Sequence, residues 1–553
     1  MCRAKIDAAP RLPPNEPQPD HTMTLPVPLR AKHTDLQVLL CGLAATVVYL
    51  LYGFDGQLHR DQAMYVYAGQ RVAAGAAPYI DMFERTGPLA QLIPGIGVLA
   101  ARAANVDDII GIRVLFTLLA AASVSLAYLL GRDFFHSRLA GLASAAALLC
   151  FEGFIYFASN GPSEKTAMVL FLLAALIAMN RRSWIVTGVF VSLATLTWQP
   201  VFLPAIAGTV TAVLSGVSRG HRLSAVSRIA VGGLIPTTLT IGAYIAIGRL
   251  GTLLDGFLLV NLRYTNPRSF LWNVDGNWRA LLRWYGISLS VLLIGIIAVL
   301  ATSAAMFVTA RGRHRQAPAP ALLGVGVLTL VGIAWTVWEF DNAPDVFFLL
   351  PSGALGIGAL ISAVEAAVRR DAAVAVTVAA ALAMTTIALT FSIGVRPAGL
   401  GRAVRPEGLQ IQREAVSAVL EAIPGDEVIF SVEAPQPLAL SQKRNGSQFQ
   451  LYGSGLVDYV EDTWPGGIQG YIEWIEEHNP TIVAVGRDRV PPWLAPTLDE
   501  RYQRVGSAPG WTWYIRKDLG RDGIRPIREA IHQWQQQFMT ESGATSPGVK
   551  TYA

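Results

Sequence analysis

Apolar runs of about 20 residues, the length that crosses a bilayer's hydrocarbon core as a helix, recur along this chain from residue 36 to residue 394. A soluble core uses shorter runs that keep a polar stripe. The spacing predicts about eleven spanning helices, near 36–54, 109–131, 138–157, 165–180, 184–199, 201–216, 229–249, 284–309, 320–338, 346–365 and 372–394. Composition agrees: 52% of the 553 residues are hydrophobic and only 15% are charged, where soluble domains carry about a quarter. The net charge of +5 does not point to nucleic acid, because the basic residues sit in short loops between apolar runs.

Those loops set the threading. The segment 88–103 is apolar but short and holds Pro88, Pro94, Gly95 and Gly97. If it only half-inserts and the N-terminus is inside, every inner connection is basic, as the positive-inside rule requires. The clusters are Arg132 with Arg138, Arg181 with Arg182, then Arg219, Arg222 and Arg228, then Arg311, Arg313 and Arg315, and finally Arg369 with Arg370. Residues 1–33, rich in Pro and polar side chains, read as a disordered tail, and 34–394 as the transmembrane domain. Its long first outer loop covers 55–108.

After residue 395 the pattern changes to alternating helix and strand. Gln410–Ala422 and Gly467–His478 read as helices; Glu427–Val432, Thr481–Gly486 and Trp511–Arg516 read as strands. The fold class is therefore an α-helical polytopic membrane protein with a small C-terminal α/β domain at 395–519, on the extracytoplasmic side. A charged helix and a loose Ser/Gly/Pro-containing end are expected at 520–553. Three cysteines, Cys2, Cys41 and Cys150, show neither a metal-binding spacing nor a disulfide framework.

The first outer loop is longer than most connections, a common mark of function. It runs His59-Arg60-Asp61 into a helix bearing Tyr65 and Tyr67. Gly75-Ala-Ala-Pro78-Tyr79-Ile-Asp81 follows, and Glu84-Arg85-Thr86-Gly87-Pro88-Leu89 leads back to the membrane. The next outer loop ends Asn160-Gly-Pro-Ser-Glu164-Lys165. Weaker signals are Asn261-Leu-Arg263-Tyr264 and Val346–Pro351, which follows a loop with Asp341, Asn342 and Asp345. Bland roles compete: Asp61 suits a helix cap, Glu84 with Arg85 a solvated pair, Glu164 a local partner for Lys165, and Tyr264 an interfacial anchor.

This arrangement resembles the GT-C glycosyltransferases, particularly protein O-mannosyltransferases and lipid A aminoarabinose transferases. The resemblance implies a polyprenyl-phosphate-linked sugar as donor and a lipid, glycan or protein acceptor, with membrane lipids as surroundings. It implies an inner-membrane location with the site on the extracytoplasmic face. Asp61 takes the place of the family's first-loop catalytic acid, and Glu164 that of a second acidic residue where relatives usually carry Asp followed by Pro. A Lys that relatives place before the loop's Pro is absent, with Arg85 nearby.

The residue types fit the chemistry. A carboxylate in reach of an acceptor hydroxyl removes its proton as the oxygen attacks the anomeric carbon. Arg or Lys stabilises the leaving phosphate. One base and a single displacement invert the anomeric carbon. Asp61 and Glu164 are thus the catalytic candidates. Tyr65, Tyr79, Glu84, Arg85, Lys165, Asn261, Arg263, Tyr264 and Arg268 are the donor-phosphate and substrate candidates. Carboxylates from two loops could also hold a divalent cation; some relatives use one and others do not. A polysaccharide polymerase or ligase, and a glycolipid flippase or transporter, stand as alternatives.

Overall fold

The computed structural model describes residues 36–51, 53–265, 267–312, 320–368, 408–423, 428–487 and 489–542. The predicted span 372–394 and the tail 1–33 lie outside them. In order, the helices are α1 (Leu36–Leu50), α2 (Arg60–Ala73), α3 (Pro88–Ala103), α4 (Asp108–Phe135), α5 (Arg138–Cys150), α6 (Glu152–Asn160), α7 (Glu164–Asn180), α8 (Trp184–Thr197), α9 (Phe202–Gly216) and α10 (Arg222–Ala246). After them come α11 (Leu250–Leu254), a π-helical stretch Asp255–Tyr264, α12 (Val274–Tyr285), α13 (Ser288–Gly312), α14 (Pro320–Trp338) and α15 (Leu350–Val368).

Among the described residues, six helices are long and apolar enough to cross a membrane: Asp108–Phe135, Gln199–Gly216, Arg219–Ala246, Ser288–Val308, Ala321–Trp338 and Ala343–Val368. The chain is a multi-pass membrane protein, and the expected eleven spans are not confirmed among the described residues. The predicted span 138–157 is two helices, α5 and α6, bent by 68° at Phe151, and counting that pair gives seven. The predicted spans 36–54, 165–180 and 184–199 are helices of 15, 17 and 14 residues. At 1.5 Å per residue these fall short of the roughly 30 Å core. The apolar runs signalled burial as much as span length: α7 is buried along most of its length by α4 and α8.

The C-terminal domain begins, as described, with α16 (Gly408–Glu421). It continues through β1 (Ile429–Val432), α17 (Gln436–Ser441), α18 (Leu456–Thr463), α19 (Gly467–His478), β2 (Ile482–Gly486), α20 (Ala495–Arg501), β3 (Tyr502–Ala508), β4 (Trp511–Arg516) and α21 (Gly520–Ser542). The sheet order is β1-β2-β4-β3. β1 and β2 are parallel, with Ile429 opposite Ile482, which requires the long helical crossover between them. β4 returns antiparallel against both β2 and β3. β1 and β2 are buried throughout, so they read as continuous apolar strings rather than alternating ones.

After residue 519, where a charged helix was expected, α21 packs Ile524, Ile527, Ile531 and Trp534, all buried, into the core shared with α16 and Trp513 of β4. Its apolar residues recur at helical spacing.

This domain is bonded to the first loop at several points. Leu409 N–H donates to Asp55 O at 2.9 Å. The Gln412 side chain takes both backbone groups of Leu58, at 2.7 and 3.1 Å. Asn445 N–H donates to the Tyr67 hydroxyl at 3.0 Å, and Phe83 N–H to Gln448 O at 2.8 Å. Gly455 lies with φ +86° so close to the π-helical stretch that a Cβ would sit 2.1 Å from Tyr264 O.

Candidate functional site

α2 carries the first residues of the site. Its N-terminus is closed by the Gln62 side chain, which accepts from His59 N–H at 3.2 Å, so Asp61 is not the cap. Asp61 points outward, 67% exposed, and pairs with Arg60 at 3.0 Å. One turn further on, Tyr65 is buried. Burial raises its phenol well above the ordinary value, and the nearby Glu164, Glu84 and Asp61 carboxylates push the same way. Tyr65 therefore lies within electrostatic reach of an exposed acid and two buried ones.

The loop from Tyr79 to Gly87 folds onto α3 and α8. Tyr79 sits at φ +67° and donates its buried hydroxyl to Thr86 O at 2.5 Å; its role is to shape the loop. Glu84 is 8% exposed, and one of its oxygens accepts Thr86 N–H at 2.6 Å. Burial raises the Glu84 carboxyl above the usual range, opposed by Thr86 and Arg85 and assisted by Glu164. Gly87 presses on the end of α8, where a Cβ would lie 1.9 Å from Leu196 O. That contact explains the glycine in the Gly-Pro-Leu segment.

Arg85 is fixed through its backbone. Asn261 donates to its carbonyl at 2.7 Å and Gln199 at 2.9 Å. Its guanidinium reaches Asp341 at 3.0 Å and Glu339 at 3.8 Å. Burial works against the charge, but Glu84, Asp341, Glu339 and Asp345 outweigh it and raise the Arg85 pKa. Lys165, at the start of α7, bridges Glu164 at 3.2 Å and Asp345 at 2.9 Å, with its ammonium 5.1 Å from the Trp198 ring centre. The other Asp345 oxygen accepts Asp341 and Asn342 N–H groups at 2.8 and 2.9 Å. Burial raises the Glu339 carboxyl as well.

Two cations thus face five carboxylates drawn from three loops. Buried charges are tolerated when paired and hydrogen-bonded, and the surplus of carboxylates keeps both cations charged.

Of the residues expected from sequence, Tyr65, Glu84, Arg85, Glu164, Lys165 and Asn261 come together here. Arg263 and Tyr264 instead reach Asp462 of the C-terminal domain, at 3.4 and 3.0 Å, so they join the two parts of the chain. Arg268 is exposed, and its carbonyl accepts Phe340 N–H at 2.8 Å. Gln199, Trp198 and Glu339 had not been picked out for the site. The Trp198-Gln199-Pro200 break at the end of an apolar run was the available signal. Among the described residues no three His, Cys, Asp or Glu side chains are grouped to hold a metal ion.

The fold is similar to that of several solved structures. ArnT from Cupriavidus metallidurans in the apo state superimposes with a TM-score of 0.57 at 14% identity, over 86% of this chain and 97% of that one. The same protein bound to undecaprenyl phosphate gives 0.55 at 13%, over 87% and 98%. The apo oligosaccharyltransferase of Archaeoglobus fulgidus gives 0.51 at 11%, over 82% of this chain and 70% of that one. At these identities the likeness is one of fold. No protein-family model matches the sequence, and no curated protein matches it.

Proposed function

We propose that this protein is a membrane glycosyltransferase that takes a sugar from a polyprenyl-phosphate carrier and passes it to a hydroxyl-bearing acceptor. The observation that carries the reading is the convergence of three loops, through Glu84-Arg85, Glu164-Lys165 and Glu339–Asp345, beside α2 with its exposed Asp61. The shared fold with ArnT, which binds undecaprenyl phosphate, supplies the class of donor.

In this mechanism Asp61 accepts the proton of the acceptor hydroxyl while its oxygen attacks the anomeric carbon. The bond to the carrier phosphate breaks on the opposite side, and the configuration inverts. Arg85 and Lys165 stabilise the leaving phosphate. Asp341, at 41% exposed the most accessible of the carboxylates paired with them, is the partner the phosphate displaces from Arg85. The basic clusters of the other loops support a site on the extracytoplasmic face of the membrane.

The test uses purified protein in lipid with radiolabelled polyprenyl-phosphate sugars. Release of polyprenyl phosphate with transfer of label is expected from the parent and not from folded Asp61→Asn. Equal turnover by Asp61→Asn would remove Asp61 as the base.

A further inference from the structure

Asp61 is exposed, and among the described residues its hydrogen-bonded partner is Arg60. Arg60 is held from a second side as well. Its Nη1 donates to Glu433 Oε2 at 2.5 Å, while its Nε donates to Asp61 at 3.0 Å. A guanidinium is a rigid planar fork, so holding one arm orients the others.

The two carboxylates are unequal. Asp61 is 67% exposed, whereas the Glu433 side chain is 8% exposed. Glu433 follows β1 in a left-handed conformation, φ +56°, which a non-glycine residue rarely adopts. Its backbone N–H donates to Gln450 O at 2.6 Å, and its second carboxylate oxygen accepts Tyr452 N–H at 2.6 Å. Its carbonyl packs on Gly486, where a Cβ would lie 2.5 Å away. Backbone strain, burial and saturated hydrogen bonds all aim one oxygen at Arg60.

We propose that Glu433 is a positioning residue, by which the seated C-terminal domain fixes Arg60 and, through Arg60, the orientation of the Asp61 carboxylate. The consequence for catalysis rests on the glycosyl-transfer reading above; the coupling itself does not. With Glu433 in place, Arg60 is shared, and Asp61 keeps lone pairs free for the acceptor proton. Without the Glu433 charge, Arg60 turns fully to Asp61 and occupies it.

The experiment compares Glu433→Gln, Arg60→Gln and Arg413→Gln in the full-length protein in lipid. Arg413 is the control: it ties the same domain to Asp107 at 2.7 Å, and Asp107 caps α4. Carbodiimide with glycine ethyl ester labels accessible carboxyls, and mass spectrometry reads Asp61 without any substrate. Asp61 labelling is expected to fall about threefold in Glu433→Gln and to rise by a similar factor in Arg60→Gln, with Arg413→Gln at the parent rate. In the transfer assay Glu433→Gln is expected to lower kcat about tenfold with donor KM within about twofold.

Unchanged Asp61 labelling in both Glu433→Gln and Arg60→Gln overturns the proposal. So does an Arg413→Gln variant that reproduces both effects, which would assign them to docking of the domain alone. If labelling shifts as stated but the parent transfers no sugar, the coupling stands and the glycosyltransferase reading fails.

Discussion

Replacing Lys165 by methionine leaves the methylene stem's volume in place and removes its charge. The ammonium bridges Glu164 and Asp345, and all three side chains are nearly covered, at 14%, 10% and 14% exposed. Surface ion pairs are worth little, but removing one partner of a buried set strands the others, at about 3–5 kcal/mol. Asp345 also holds the 341–345 loop through two backbone N–H groups, so its charge is anchored in place. At about 2 °C of Tm per kcal/mol for a long chain, Lys165→Met should unfold roughly 5–10 °C below the parent. Differential scanning fluorimetry in one detergent measures this. Adding Asp345→Asn to Lys165→Met should recover part of the loss, because replacing both partners leaves less uncompensated charge. A single variant within about 1 °C of the parent, or a double variant less stable than the single, would refute the reasoning.

Three further outcomes follow from the packing. Burial raises the Glu84 carboxyl, so the folded state holds that proton more tightly than the unfolded chain does; this contribution is full below the ordinary carboxylate range and lost as pH rises through the raised value. Glu84→Gln should therefore match the parent at about pH 4 and gain Tm over it by about pH 8, and a parallel pair of Tm–pH curves contradicts this. Gly87→Ala places a methyl 1.9 Å from Leu196 O and should cost about 1–3 kcal/mol, seen as a lower Tm; an unchanged Tm contradicts the close approach. Truncation after residue 519 removes Ile524, Ile527, Ile531 and Trp534 from the core, so it should expose the C-terminal domain to limited proteolysis, and an unchanged digestion pattern contradicts this.

Much of the fold was legible in the sequence because hydropathy reports what a segment can bury. The apolar helices and the strands at β1, β2 and β4 were readable from period and apolar run. The count of spans was not, because apolarity does not separate a crossing helix from a short buried one such as α7. β3 was missed: Tyr502–Ala508 carries Gln503, Arg504, Gly506 and Ser507, and a bulge at Arg504–Gly506 breaks its alternation.

The site was half legible. Glu84-Arg85 and Glu164-Lys165 stand out as charges beside apolar runs, and the fold does bring them together. Arg263 and Tyr264 carried a similar signal yet serve the seam with Asp462. Nothing local tells which side of a loop a charge faces. Gln199 and Glu433 act across 114 and 373 positions of chain, and a pairing over that distance leaves no periodic trace in one sequence.

The central claim is the transfer of a sugar from a polyprenyl-phosphate donor with Asp61 as base. The most direct test incubates the lipid-reconstituted protein with a panel of radiolabelled polyprenyl-phosphate sugars, beside Asp61→Asn of equal Tm. The account predicts that at least one donor releases polyprenyl phosphate in the parent, and that the variant loses this turnover by about a hundredfold or more. No binding or consumption of any donor by the parent, or full turnover by the variant, would contradict it.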